Sequence, residues 1–202
     1  MAFVCGPITR SKRRIDMDIV ADMDFAEMDA EKQYRLMYAE CLGDRPGANA
    51  LLLWMESAGF FTAPASTRHH LNTPGGLCRH TINVAMNASD LCNTPAFMDV
   101  NAKEAMVAAL LHDLCKIGKY RAGDNGKYTY DDTRLLGHGE ESVIIAQQFV
   151  RLSRNETLAI RWHMGAYSGE RDWNTLGKAY DACPLAMLLH FADMMATHCD
   201  EK

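Results

Sequence analysis

Six residues with metal-binding side chains are spaced along the chain, and two of them are adjacent. The adjacent pair, His112-Asp113, directly follows the apolar run 105–111. The remaining four are His80, His138, His163 and Asp193. Four imidazoles and two carboxylates are enough to bind two neighbouring metal ions, and a carboxylate such as Asp113 can bridge two ions. The residue types therefore indicate metal-dependent chemistry.

These side chains must be brought together by secondary structure that is predicted to be almost entirely helical. Apolar spacing and capping signals predict helices over about residues 25–42, from there to residue 58, then 76–92, 101–113, 139–152, 153–163 and 184–199. His80 is predicted to lie on the apolar face of the third helix, because Val84, four residues later, belongs to that face. Residues 121–133, with the turn signal Asn125-Gly126, predict a pair of strands, and residues 165–174 predict a loop. The predicted fold class is all-α, a helical bundle with one small β-hairpin-like insertion.

Local signals fix several of the predicted helix ends. Asn101 can cap the helix that precedes His112-Asp113. Ser153 with Glu156 three residues later forms a capping-box sequence, and Gly59 is a natural helix stop. The helix boundaries therefore place most candidate ligands at or near helix ends.

Composition narrows the classes of protein and partner. A length of 202 residues suits one domain over residues 17–202, preceded by a flexible arm at 1–16 that contains the basic run Arg10-Ser11-Lys12-Arg13-Arg14. The net charge of −5 argues against broad coating of nucleic acid, and no apolar stretch approaches the length of a membrane span. The first residues do not resemble a secretory signal, and seven cysteines without a Cys-x-x-Cys pair predict reduced thiols in the cytoplasm. The oligomeric state stays open.

The order of the candidate ligands resembles that of the HD-domain metal-dependent phosphohydrolase superfamily over roughly residues 50–200. The family pattern of a histidine, a His-Asp pair and a distant aspartate is matched by His80, His112-Asp113 and Asp193. The segments Gly75-Gly76-Leu77-Cys78-Arg79-His80-Thr81 and Ala192-Asp193-Met194-Met195-Ala196 also resemble the family. His138 and His163 resemble the additional ligands of its six-ligand, dinuclear branch.

Two segments are further similar to the HD module of bacterial 3′–5′ exoribonucleases. They are residues 128–138 and 189–193. Those enzymes carry a separate OB-type nucleic-acid domain, for which this chain has no room. The resemblance therefore implies a small phosphorylated, nucleotide-like substrate or a short single-stranded nucleic acid rather than processive degradation of RNA.

The resemblance also implies a role for each ligand and for one lysine. His80, His112 and Asp193 would bind one divalent ion, His138 and His163 the other, and Asp113 would bridge them. A hydroxide at the bridging position would attack the phosphate ester, and Lys116 would contact a non-bridging phosphoryl oxygen. Iron, manganese, zinc, nickel and cobalt all suit such ligands.

One departure from the family pattern lies directly after the His-Asp pair. The family usually has glycine before the lysine, whereas this chain has Cys115 before Lys116. Cysteine lacks the freedom of glycine to adopt a positive φ, so the turn is predicted to be helical or to be placed differently.

Several other residues near the ligands are candidates for contact with a substrate. Arg79, Arg134 and Arg161, and also Lys119, could bind phosphate, while Tyr130, Tyr128 and Trp162 could stack on a base. His190 precedes Asp193 by three residues on the same helical face and is a candidate support for the ligands, and His69-His70 could line the mouth of the pocket. Solvated charges and ordinary packing are the alternative interpretations of these residues.

Three functions fit these residues. The first is a phosphohydrolase or phosphodiesterase acting on nucleotide-like substrates. The second is a dinuclear-iron oxygenase, which this superfamily also contains and which needs the same ligands. The third is a non-catalytic nucleotide-binding protein, which is disfavoured because all six ligands are present. Lys116 and the similarity to the exoribonuclease module favour hydrolysis.

Overall fold

The structure, a computed structural model, describes residues 25–67, 71–122, 128–131 and 133–201. Within these ranges the chain forms eight α-helices and one two-stranded sheet, so the predicted all-α class is confirmed. The predicted arm at 1–16, the turn residues Asn125-Gly126 and the pair His69-His70 lie outside the described residues.

The elements follow one another in a simple order. The α-helices are α1 Ala30–Leu42, α2 Ala48–Ser57, α3 Gly76–Cys92, α4 Ala102–Leu111, α5 His138–Gln147, α6 Arg154–Trp162, α7 Trp173–Ala182 and α8 Pro184–Met195. The strands are β1 Tyr120–Ala122 and β2 Tyr128–Tyr130, and they pair antiparallel with Tyr120 opposite Tyr130. Short 3₁₀ turns lie at Leu114–Lys116 and Gly165–Tyr167, and a π turn at Ala196–Asp200 continues from α8.

The capping signals in the sequence are confirmed. The Asn101 side chain accepts a hydrogen bond from the backbone N of Glu104 at 3.2 Å, at the start of α4. Ser153 and Glu156 form the reciprocal capping box of α6. Gly59, with a φ of +92°, follows the end of α2. These caps fix the starts of α4 and α6, the two helices that lead into His112-Asp113 and His163.

The centre of the bundle is α4, which packs against α1, α3, α6 and α8. Every residue from 105 to 111 is buried, so the helix is apolar on all sides. The predicted inward face of α3, which comprises Leu77, Thr81, Val84, Ala88 and Leu91, is confirmed: the first four are buried and Leu91 packs against the core partly buried. The Tyr34 hydroxyl of α1 donates to the carbonyl of Leu110 at 3.0 Å. The residues that follow α4 are consequently delivered into the protein interior.

The structure differs from the predicted elements in several places, and α8 in particular ends at Met195 instead of 199. Helix α7 was not predicted; only Ala179 of it is fully buried, while Leu176 and Tyr180 pack against the core partly buried. Helix α5 ends at Gln147 instead of 152, and the residues after it turn so that Val150 is buried. The first predicted helix begins at Ala30, after a short 3₁₀ turn, because Asp29 accepts from the backbone N of Lys32 and caps it there.

A backbone hydrogen bond connects the end of the β-hairpin to the residue that precedes its first strand. The β-hairpin directly follows the Leu114–Lys116 turn, and the backbone N of Asp131 donates to the carbonyl of Lys119 at 3.0 Å. Among the described residues, no helix combines the length and hydropathy that crossing a membrane requires.

Candidate metal centre

The fold brings the six predicted ligands into one cluster, in which four are buried and His138 and Asp193 are partly buried. His80 lies in the second turn of α3, and His112-Asp113 follows α4 directly. His138 is the first residue of α5, His163 follows α6, and Asp193 lies in the last turn of α8. Five separate helices thus each contribute a side chain or a helix end to the same place.

The carboxylate of Asp113 is at the centre of this cluster. Its Oδ2 lies 3.2 Å from Nε2 of His112 and 3.5 Å from Nε2 of His80, and its Oδ1 lies 3.9 Å from Nε2 of His163. One carboxylate that faces three imidazoles has the position expected of a ligand shared between ions.

The cluster contains three groups whose potential ligand atoms lie within 4.8 Å of one another. They are His80 with His112 and Asp113, then His112 with His163 and Asp193, and lastly Asp113 with Cys115 and His138. The resemblance had paired His138 with His163. In these groups His163 lies with His112 and Asp193, and His138 lies with Asp113 and Cys115, while the sharing of one ion by His138 and His163 stays a prediction.

Backbone contacts orient two of the imidazole rings. Nδ1 of His112 lies 2.7 Å from the carbonyl of Ala109, and Nδ1 of His163 lies 2.7 Å from the carbonyl of Ile160. A carbonyl oxygen can only accept, so Nδ1 carries the hydrogen in both rings and the neutral ring keeps its lone pair at Nε2. The ends of α4 and α6 therefore present Nε2 as the ligand atom.

The polar atoms of the cluster meet the requirements of a divalent cation. Nε2 of His163, Nδ1 of His138 and Oδ1 of Asp113 are buried without a hydrogen-bond partner among the described residues. Buried polar atoms normally have partners, and a cation that these atoms coordinate would satisfy them. The nitrogen and carboxylate donors also suit first-row divalent metals.

Electrostatics keep most of these ligands in their deprotonated forms. Burial alone would raise the pKa of Asp113, but the charge of Lys116, together with the adjacent His112 and His80 rings, holds it well below its ordinary value. The pKa of Asp193 is also lowered, chiefly by His80, against the effect of burial. Burial, with His112 nearby, lowers the pKa of His163 to about 4. Metal ligands must be deprotonated, so these shifts favour binding at neutral pH.

His80 is the exception among the imidazoles. Burial lowers its pKa, but contacts with Asp113, Asp193 and Glu201 outweigh burial and raise it well above its ordinary value. Nε2 of His80 lies 3.2 Å from Oδ1 of Asp193. A positive charge at this nitrogen is therefore stabilised, whether a proton or a metal ion supplies it.

Lys116 follows the cluster closely in space as well as in sequence. The Leu114–Lys116 turn places its Nζ 2.7 Å from Oδ2 of Asp113. Burial lowers the pKa of Lys116, but the interactions with Asp113, Tyr120 and Asp193 together outweigh burial and raise it, so the side chain stays cationic. A fixed cation thus adjoins the carboxylate at the centre of the cluster.

Comparison with known proteins shows the family to which this chain is related. The chain matches the family described as "HD domain" over residues 77–197, a stretch that contains all six predicted ligands. The chain belongs to the HD domain family. The superfamily predicted from the sequence is therefore confirmed.

One curated relative of this HD domain chain has a named activity. The chain is 30% identical over 135 residues to "Dihydroneopterin 2′,3′-cyclic phosphate phosphodiesterase" from Methanocaldococcus jannaschii. The alignment covers 65% of this chain and 50% of the relative, so the chain spans about half the length of that protein. No solved structure matches the chain.

The residue that replaces the family glycine also has a clear place in this HD domain. Cys115 lies within the 3₁₀ turn Leu114–Lys116, as the prediction of a helical turn requires, and its backbone N donates to Ser142 Oγ at 3.1 Å. Gly118, with a φ of +69°, supplies the left-handed residue two positions after Lys116. Burial raises the pKa of the Cys115 thiol to about 12.

The three arginines that were predicted to contact substrate all contact other residues of the protein. Nη1 of Arg79 donates to Gln33 Oε1 at 2.7 Å, and Nε of Arg134 donates to Glu141 Oε1 at 2.6 Å. The Arg161 guanidinium lies 2.8 Å from Glu140, 3.0 Å from Asp172 and 4.2 Å from the Trp162 ring centroid. These contacts give each arginine a structural role, and their contact with substrate stays a prediction.

Tyr130 and Lys119, two candidate substrate contacts at the hairpin, differ in their exposure to solvent. Tyr130 on β2 is about half exposed, with its ring centroid 5.1 Å from Nζ of the buried Lys119. Lys119 lies 3.2 Å from Glu141 and is fully buried, which argues against a direct phosphate contact. Tyr130 thus stays available for stacking, whereas Lys119 holds the hairpin against α5.

Two residues support the ligands from outside the cluster. The predicted support by His190 is consistent with its Nδ1 lying 2.8 Å from the carbonyl of His163. Glu201, which sequence reasoning missed, has both carboxylate oxygens 3.1 Å from Nδ1 of His80. No sequence motif marks Glu201. It follows the π turn and lies eight residues after Asp193.

Proposed function

We propose that this HD domain is a metal-dependent phosphohydrolase or phosphodiesterase that acts on a small, nucleotide-like phosphate ester. The observation that carries the proposal is the convergence of five ligand side chains around the buried Asp113, with the cation of Lys116 2.7 Å from the same carboxylate. Divalent ions bound there would lower the pKa of a coordinated water and stabilise negative charge on phosphoryl oxygens.

The number of ions and the role of each ligand are part of the proposal. Three groups of potential ligand atoms share residues, which supports two neighbouring ions rather than one. Asp113 belongs to two of the groups and would bridge, with His80, His112 and Asp193 on one ion and His138 and His163 on the other. This arrangement is similar to the six-ligand branch of the superfamily, which includes the HD module of bacterial 3′–5′ exoribonucleases.

Lys116 has a separate role in the proposal, because it is a cation without a lone pair to offer a metal. Its contact with Asp113 holds Nζ at the edge of the ligand cluster. There it would donate hydrogen bonds to a non-bridging phosphoryl oxygen, whose charge grows in the transition state. Fixed donors of this kind contribute about 3 kcal/mol to transition-state stabilisation.

The named relative supports a cyclic phosphodiester as the substrate class. Hydrolysis of such an ester adds a water oxygen to phosphorus, breaks one phosphorus–oxygen ester bond and leaves a proton on the departing oxygen. Tyr130 would stack on the attached ring system. Mononucleotides, dinucleotides and short single strands are the related substrates, and the six described cysteines, all free, support a reducing cytoplasm.

The experiment is a hydrolysis screen of chelator-treated protein that is reloaded with one divalent metal at a time. The substrates are 2′,3′-cyclic nucleotides, a mononucleotide, a dinucleotide, a short single strand and a long duplex. We expect activity only after reloading, greatest on the small esters, and lost in Asp113→Asn but kept in the exposed-site control Asp44→Asn. Equal activity of chelated and reloaded protein, or an active Asp113→Asn, would contradict the proposal.

A further inference from the structure

Glu201 contacts the edge of the His80 ring that is turned away from the other candidate ligands. Both of its carboxylate oxygens lie 3.1 Å from Nδ1 of His80, while Nε2 of the same ring faces Asp113 and Asp193. The Glu201 side chain is only 1% exposed. A carboxylate held out of water in this way is stable only with strong partners.

Neighbouring residues fix the position of the Glu201 carboxylate. Nδ2 of Asn83, one turn after His80 on α3, donates to Glu201 Oε1 at 2.9 Å. The π turn Ala196–Asp200 widens the end of α8 and carries the chain back toward α3. The same turn is tied to α3 a second time by Asn87, whose Nδ2 donates to Asp200 at 2.8 Å.

The chemistry of the two groups decides which nitrogen of His80 carries a hydrogen. An ionised carboxylate can only accept hydrogen bonds, so Nδ1 of His80 must donate to Glu201. A neutral ring then has its lone pair at Nε2, the atom that lies 3.2 Å from Asp193 and 3.5 Å from Asp113. The negative charge of Glu201 also makes that lone pair more basic and so a stronger ligand.

We infer that Glu201 is a positioning residue of the metal centre, which fixes the ring of His80 and strengthens its Nε2 as a ligand. The inference rests on the metal site of the proposed function and adds to it a residue outside the six ligands. His112 and His163 receive the same support from backbone carbonyls. His80 lies in mid-helix, where the carbonyls are used by the helix itself, and a side chain takes that role.

The test measures zinc binding and the His80 ring directly, without any substrate. We expect Glu201→Ala to weaken zinc binding by roughly 10- to 100-fold in a chelator competition. In the zinc-loaded protein, the NMR signal of the His80 Nδ1 proton should shift upfield and exchange faster with water. Glu201→Gln keeps an acceptor oxygen and should recover part of the lost affinity.

Asp200→Asn is the matched control, because Asp200 is exposed, lies in the same turn and also contacts α3. It should bind zinc as the wild type does. Wild-type zinc affinity in Glu201→Ala, or an unchanged Nδ1 proton signal in either Glu201 variant, would overturn the inference alone. Absence of zinc binding in the wild type would overturn both the inference and the metal site of the proposed function. If Glu201→Ala fails to fold, the affinity and proton signal of Glu201→Gln decide the result.

Discussion

Nζ of Lys116 lies 2.7 Å from Oδ2 of Asp113, the oxygen that also lies 3.2 Å from Nε2 of His112. One carboxylate oxygen therefore faces both a cation and a candidate metal ligand. The turn Leu114–Lys116 produces this contact, because it brings residue 116 back beside residue 113. Lys116 and the metal ligands thus meet at one atom while they carry out separate tasks.

Replacement of Lys116 separates those tasks. We expect Lys116→Met to keep its metal content while turnover falls by about 100-fold or more, because a fixed donor to the phosphoryl oxygen is lost. Elemental analysis and steady-state kinetics check the two quantities, with the exposed Lys103→Met of α4 as the control. A Lys116→Met protein without metal would contradict the assigned phosphate contact.

Metal stoichiometry tests how the ligands are shared. The wild type should bind two ions per chain, about 3.5–4 Å apart, which anomalous scattering can locate. His138→Ala should retain a single ion, because His138 groups with Asp113 and Cys115, apart from the other imidazoles. One ion in the wild type, bound without His138, would refute the dinuclear arrangement.

Metal binding should release a proton from His80. The raised pKa of His80 leaves this ring protonated at pH 6 in the metal-free protein, whereas His163, with a pKa of about 4, is already neutral. A metal at Nε2 displaces the His80 proton, so affinity should rise with pH. Calorimetry of zinc binding at pH 6, in buffers of different ionisation enthalpy, should show release of about one proton. Heats that do not depend on the buffer would show that no net proton leaves the protein, which would contradict release of a proton from His80 on metal binding.

Gly139 tests the close approach of the two helix ends that carry His138 and His163. A Cβ at Gly139 would lie within 2.5 Å of the Ile160 carbonyl, so alanine must push α5 away from α6. We expect Gly139→Ala to lower the free energy of unfolding by about 1–3 kcal/mol and to weaken metal binding. Thermal denaturation and elemental analysis measure both effects.

Gly177 provides the matched control for that substitution. It lies in α7, and a Cβ there would have no heavy atom within 4 Å. Gly177→Ala should therefore raise the free energy of unfolding by about 0.5–1 kcal/mol and leave metal binding unchanged. If Gly139→Ala were as stable as the wild type, the helices would not be held at the distance that the structure shows.

The sequence predicts much of this fold because its signals are local. The capping box at Ser153 and the inward face of α3 depend only on residues within a few helical turns, and both are confirmed. Helix α7 carries a weaker signal, since Leu176, Ala179 and Tyr180 share one face at helical spacing but only Ala179 is fully buried. Its existence depends on packing against α8, which is a tertiary contact.

The candidate site also has one part that local sequence signals predict and another part that depends on tertiary contacts. The His-Asp pair after an apolar helix marks the ligands, and the resemblance to a family supplies their order. The grouping of His138 with Cys115 depends instead on the angle at which α5 meets the turn after α4. Glu201 reaches His80 only through the π turn, and a single glutamate without a motif cannot be distinguished in sequence from a solvated one.

The origin of the oxygen in the product tests hydrolysis most directly. The manganese-loaded protein should cleave a 2′,3′-cyclic phosphodiester under argon, in water enriched in ¹⁸O, and place one ¹⁸O on the product phosphate, because a water oxygen joins phosphorus. Asp113→Asn should leave the ester intact. The opposite result is turnover that requires dioxygen, consumes it in proportion and leaves every phosphate ester uncleaved, and it would establish the oxygenase alternative.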